Sequence, residues 1–236
     1  MTAQPEPDSL EPARRLWAGR FQGVLSTHSL AEPGYPFGSV VPYCLDRGGL
    51  PLFLLSHLAQ HTRNLDASSR CAFTVAEVAE GDVQQSLRLS CLGDCSQIPA
   101  EETAAAERYL RYFPDARMYL ETLNFRMYRL HPLRFYYNSG FATARWLSRQ
   151  RILRTSPLAE TTEMTLLDQV QQRWAAHLQA RIAGIRHPAD AVLAVGIDPW
   201  GIDLRWGPGL RRIPFHQPLA SAADLARCLS DPTDAL

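Results

Sequence analysis

One stretch of this sequence gathers side chains suited to holding an anion. Ser56, His61, Thr62, Arg63 and Asn64 follow directly on the apolar run Leu52 to Leu55. A short apolar run of this kind reads as a buried strand. Ser56 then reads as the N-cap of a helix that carries Leu58 and Leu65. A strand feeding a helix brings free backbone N–H groups and the positive end of the helix dipole to one point, where a phosphate would be at home. The same spacing also fits an ordinary strand–helix junction with a solvated polar face.

Composition narrows the chemistry. All 24 basic residues other than histidine are arginine. Without lysine there is no Walker-A phosphate lysine and no Schiff base to pyridoxal phosphate or a carbonyl substrate. The formal net charge is zero, which argues against a general nucleic-acid binder. The five cysteines, Cys44, Cys71, Cys91, Cys95 and Cys228, form an odd set in a chain large enough to fold without disulfides. Reduced thiols and a cytoplasmic setting are therefore expected. Cys91 and Cys95 lack a second close Cys/His pair, so they read as core thiols rather than zinc ligands. The first eight residues are polar, acidic and proline-containing, unlike a signal peptide. No apolar run reaches membrane-spanning length. There is no G-x-S-x-G elbow, and no G-x-G-x-x-G follows a strand.

The elements expected from pattern run as follows. Ser9–Arg20 reads as a helix with Ser9 as cap. Strands are expected over Phe21–Ser26, Ser39–Leu45, Pro51–Leu55, Cys71–Val78 and Leu87–Gln97. Pro42 marks an edge or a bulge, and Gly93 a bulge. Ala31–Gly38 reads as a loop, and Asp46–Gly49 as the turn of a hairpin. Helices over Pro99–Tyr112 and Asp115–Glu121 come next. Phe125–Leu130 and Leu133–Tyr137 alternate on either side of Pro132, as one strand or two, and Asn138–Ala142 reads as a turn. Leu153–Thr162 reads as a linker. Beyond it lie a helix over Thr165–Ile185, a hairpin over Ala191–Trp206 turning at Asp198–Gly201, a third strand over Arg211–Phe215, and a closing helix over Ser221–Leu229 capped by Ser221. The fold class expected is mainly β with helices (α+β): a small barrel over residues 1–152 and a small α+β domain over residues 163–236.

Residues Ser39–Pro42 and Pro51–Leu65 resemble the pyridoxamine-phosphate-oxidase-like, FMN-binding split barrel, in its HugZ-type haem-utilisation branch. Arg108–Leu120 is similar to that branch's helical insertion. Phe125–Leu130 and Gly140–Leu147 are similar to its last strands and glycine-rich turn, and Thr165–Leu229 to the small domain that often follows. The resemblance implies a homodimer with FMN, or haem in some relatives, at the subunit interface. Its cofactor-binding residues would be Ser56, His61, Thr62 and Asn64 at the phosphate, and Ser39, Val40 and Val41 along the ring system. No lysine stands near His61, so Arg63, Arg70 or Arg88 would have to supply the fixed charge. For haem, His177 matches the second of two histidines found in relatives, while Gln172 replaces the first. His177 would then be the iron ligand; the alternative is a packed, hydrogen-bonded residue. Ala142 replaces a glycine of the "GFG" turn. The aromatic set Phe135, Tyr136, Tyr137, Phe141 and Trp146 would line a cofactor, a dimer interface or the core. An FMN-dependent oxidoreductase is the first reading. A haem-binding protein of haem use or breakdown is the alternative, and a non-catalytic binding module with a decayed site is the third. No catalytic acid or base is assigned, because flavin chemistry belongs mostly to the cofactor.

Overall fold

A computed structural model describes residues 10–77, 82–140, 144–183 and 191–230. The chain begins with α1 (Glu11–Gly19), then β1 (Gln22–His28), β2 (Pro36–Pro42), β3 (Cys44–Leu45) and β4 (Pro51–Ser56). Next come α2 (Gln60–Ala67), β5 (Arg70–Ala76), β6 (Arg88–Gln97), α3 (Thr103–Tyr112) and α4 (Ala116–Thr122). The long strand β7 (Phe125–Asn138), β8 (Arg145–Ser148) and α5 (Arg149–Ile152) complete the first part. The second part holds α6 (Glu160–Ala183), β9 (Leu193–Asp198), β10 (Gly201–Trp206), β11 (Gly209–Pro214) and α7 (Leu225–Ser230).

Two antiparallel sheets result. The larger has the order β2-β1-β5-β6-β7-β4-β3, with β8 added to β7; the smaller is β11-β10-β9. This is a split barrel followed by a small α+β portion, as expected. Alternation of burial along β5 and β6 shows why the strands curl. One face of each buries Cys71, Phe73, Val75, Leu89, Cys91 and Cys95 in a common core, while the other stays open. Helix α1 closes that core with Trp17, whose indole N–H donates to the Gly49 carbonyl at 3.0 Å. The Tyr43 hydroxyl donates to the Trp17 carbonyl at 2.6 Å. The smaller sheet packs under α6 around Leu166, Val170, Leu178, Ile202 and Leu204.

Several expectations change in detail. Strand β2 starts at Pro36, inside the expected loop, because Gly38, Phe37 and Pro36 extend the ladder opposite Ser26 to His28. Pro42 does lie on an edge strand, since β2 pairs only with β1. Phe125 to Tyr137 forms one continuous strand. The bulge expected at Gly93 falls instead on the partner strand: Leu92 pairs with Arg134 and Gly93 with Pro132, so the extra residue is Leu133 on β7, next to the proline that lacks an N–H. A methyl group on Gly93 would run into the His131 carbonyl. Helix α6 starts at Glu160, within the expected linker, because the carboxylate of Glu163 in its first turn is bound by Arg108. The closing helix begins as a 3-10 turn, and Ser221 and Asp224 form a capping box there. The expected cap Ser9, and Val78, Phe141, Ala142 and Ile185, lie outside the described residues.

Candidate functional site

The barrel does not close between β2 and β4. Val40, Val41 and Pro42 on one side face Leu54, Leu55 and Ser56 on the other across a cavity of about 490 Å3. That volume suits a small-molecule cofactor. The far wall comes from Tyr109, Tyr112, Phe113, Ala116 and Tyr119 of the α3–α4 segment and from Phe125. Gly207 and Pro208, in the β10–β11 turn, complete it. Among the described residues the wall carries no arginine. His61 and Asp115 are its titratable groups besides tyrosine. An apolar wall of this kind accepts a flat, uncharged ring far more readily than a bare phosphate.

Four of the sequence-derived candidates line this cavity: Val40, Val41, Ser56 and His61. Val40 is 72% exposed, an apolar side chain standing at the mouth. Ser56 does not cap α2. The N-cap is Ala59, and a turn intervenes in which the Ser56 hydroxyl accepts the Leu58 N–H at 3.3 Å and its carbonyl accepts the Ala59 N–H at 3.1 Å. That turn uses up the serine oxygens locally, so the strand and helix meet less directly than the sequence implied.

His61 sits in the first turn of α2, half-buried, with Nδ1 3.1 Å from the Ser39 hydroxyl. Ser39 thus enters the site by orienting the imidazole. The Nε2 atom is buried and has no hydrogen-bond partner. Burial holds the ring's pKa below its usual value, so the neutral form dominates at pH 7. Two tautomers are open to it. A proton on Nδ1, given to Ser39, leaves Nε2 with a lone pair for a metal; a proton on Nε2 makes that atom a donor. Thr62 is 1% exposed, and its hydroxyl is likewise buried without a partner. Thr62 does not line the cavity, so of these two residues only His61 stands at it.

Asn64 is placed differently. Its side-chain oxygen accepts the Leu30 N–H at 3.0 Å and the Gln60 amide at 2.9 Å, and its nitrogen donates to Thr27 Oγ1 at 2.9 Å. It ties α2 to β1 and the loop that follows. Arg63 and Arg70 are exposed, and Arg88 donates to the Val83 carbonyl. His177 lies on α6. Its Nε2 is 3.0 Å from the Leu229 carbonyl, which can only accept, so that nitrogen carries the proton. The ring packs edge-on to Trp174 at 5.7 Å. No group of three His, Cys, Asp or Glu side chains is arranged to hold a metal among the described residues. Phe135 and Tyr137 belong to the core, whereas Tyr136 and Trp146 pack together on the open face, with Arg134 stacked 4.5 Å over the indole.

The residues that sequence reasoning missed are the wall of the α3–α4 segment and the Gly207–Pro208 turn. The aromatic density of Tyr109–Phe113 before Pro114 was the available signal.

Comparison with known proteins agrees with this architecture. The chain is 34% identical over 136 residues to a protein of Arabidopsis thaliana named non-canonical heme oxygenase HOZ, chloroplastic. That match takes in 57% of this chain and 41% of the plant protein, so the chain spans about two fifths of the length of that relative. Among solved structures, a protein of unknown function from Agrobacterium tumefaciens superimposes with a TM-score of 0.70 at 22% identity, covering 97% of both chains. A heme binding protein from Mycobacterium smegmatis gives 0.57 at 23% identity, covering 97% of this chain and 96% of the other. These likenesses bear out the split-barrel fold. Residues 4–152 match the CREG β-barrel family, and with well over half of its length in that match, the chain belongs to this family.

Proposed function

We propose that the chain is a haem-binding protein serving haem use or breakdown, and that the cavity between β2, β4 and α3–α4 receives the ring. The observation that carries this reading is the neutral, half-buried imidazole of His61 on the wall of an apolar cavity of about 490 Å3; its Nε2 is buried and unpartnered, and the ring would turn to present it to iron. A neutral imidazole nitrogen is what an iron ligand requires. The 34% identity to a plant heme oxygenase supports the same choice. When bound, haem supplies one-electron and oxygen chemistry. The chain's own part is to exclude water with Val41, Leu54, Leu55 and Phe125, and to orient His61 through Ser39.

A second reading, FMN with an oxidoreductase activity, is favoured by the exposed β2 edge at Val40. It is weakened by the absence of lysine and of any wall arginine, since a phosphate gains most from a fixed cation; the two propionates of haem, lacking the same cation, would have to project from the cavity mouth into water. The deciding experiment is an absorbance titration of the full chain with hemin and, separately, with FMN. Saturable one-to-one hemin binding with a shifted Soret band is expected. FMN saturation without any hemin spectrum would overturn the haem reading in favour of flavin.

We also propose a homodimer formed through the open face of the larger sheet, where Val24, Val40, Leu92, Leu133, Tyr136 and Trp146 are exposed. An apolar face of this kind is unusual for a surface left in water. Light scattering should give about twice the 26.5 kDa chain mass; a value of one chain mass would overturn the dimer. The cytoplasmic setting is likewise a proposal, resting on five unpaired cysteines.

A further inference from the structure

Tyr112 belongs to two environments at once. It is the last residue of α3, its side chain lines the cavity, and its hydroxyl donates to Asp203 Oδ2 on β10 at 2.7 Å. Asp203 is buried and is held from its other side by Arg212 Nη1 at 2.9 Å. Gly196 on β9 leaves room for this contact, because a methyl group there would run into the Tyr112 hydroxyl and crowd the Asp203 carboxylate. One position earlier on α3, Arg111 donates to the Val195 carbonyl at 3.3 Å. The far end of the small sheet reaches the same cavity, through Gly207 and Pro208. The C-terminal portion thus touches the cavity twice: directly at the β10–β11 turn, and through Tyr112 on the wall itself.

We propose that Tyr112 and Asp203 are a positioning pair that makes the C-terminal sheet a working part of the cofactor cavity, so that ligand binding and the seating of that sheet reinforce each other. This rests on the cavity being the cofactor site. The physical reason is that, of the α3 side chains bonded to the C-terminal portion among the described residues (Arg108 to Glu163, Arg111 to the Val195 carbonyl, Tyr112 to Asp203), only Tyr112 belongs to a residue that lines the cavity. A buried carboxylate between an arginine and a phenol tolerates one geometry, and that geometry fixes where the Tyr112 ring stands. Anything that holds the ring holds the sheet, and the coupling is reciprocal.

The test uses the full chain with hemin as probe, read by absorbance titration and by hydrogen–deuterium exchange. In the wild type, hemin should slow exchange in β9–β11 as well as in β4 and α2. Tyr112→Phe keeps the ring and loses the hydroxyl; it should weaken hemin binding by about tenfold and confine the protection to the barrel. Asp203→Asn keeps one acceptor oxygen for two donors, Tyr112 and Arg212, and should weaken hemin binding at least as much as Tyr112→Phe. Protection of β4 and α2 without β9–β11 in the wild type would overturn the pair, and so would unchanged affinity in Tyr112→Phe. Wild-type chain that binds neither hemin nor FMN would overturn the cavity assignment and the pair with it. Should Tyr112→Phe fail to fold, the wild-type exchange pattern decides by itself.

Discussion

Alanine at His61 should weaken hemin binding by at least about tenfold and remove the shifted Soret band, whereas alanine at His177 should leave both unchanged. The two histidines differ in what their nitrogens already do. His177 Nε2 is committed to the Leu229 carbonyl and its ring to Trp174, away from the cavity lining. His61 Nε2 has no partner, and Ser39 stands behind Nδ1 to hold the ring. Removing the imidazole also opens a void between β2 and α2, so His61→Gln, which keeps volume and polarity, belongs beside it; it should bind as weakly as the alanine variant. The pH response follows from the depressed pKa. Because burial disfavours the charged ring, the neutral form persists below the ordinary value of 6.5. Hemin affinity should hold level as pH falls through 6.5 and decline only below it. A decline centred at 6.5 would show that an ordinary solvated histidine is responsible. Equal loss in the His61 and His177 variants would move the ligand to α6.

Phe73→Ala should lower the stability of the barrel by about 4 kcal/mol, seen as a lower midpoint in urea with an unchanged slope. Phe73 is fully buried on β5, and three other rings converge on it: Tyr43 at 4.9 Å, Phe53 at 5.1 Å and Trp17 at 5.9 Å between centroids. These partners come from three separate elements or junctions, namely the β2–β3 junction, β4 and α1. The ring therefore joins the edge of the split to the middle of the sheet. Alanine leaves a cavity that α1 cannot collapse into, since Trp17 is already fixed by its bond to Gly49. Edge-to-face geometry adds to the burial term at each contact. A loss below about 1.5 kcal/mol would mean that the core repacks freely, and that the barrel is less tightly specified than these contacts indicate.

What could be read in advance follows the range over which each signal acts. Pro42 on an edge and the hairpin at Asp198–Gly201 are local chemistry, and each stands where its residues placed it, whereas the bulge expected at Gly93 falls on the opposite strand at Leu133. Pro132 was ambiguous because its effect depends on a partner some forty residues away: opposite Gly93 and beside the bulged Leu133 it does not break the strand. Ser56 was misassigned as a cap for a local reason, since a turn and a helix both begin with a serine that accepts a nearby N–H. Asn64 looked like a phosphate ligand in sequence, yet its amide is spent on Leu30, Gln60 and Thr27, two of which lie more than thirty residues away. The cavity was only half legible. Its β2 and β4 sides came from motif residues, but Tyr109, Tyr112, Tyr119 and the Gly207–Pro208 turn meet there through tertiary packing that no periodicity encodes.

The most direct test of the central claim is a crystal structure of the full chain with hemin, with the iron located by its anomalous scattering. One iron peak is expected, inside the cavity bounded by Val41, Leu55, His61 and Tyr112, with His61 as the nearest protein nitrogen. An iron peak beside His177, or on the open face of the large sheet, would contradict it.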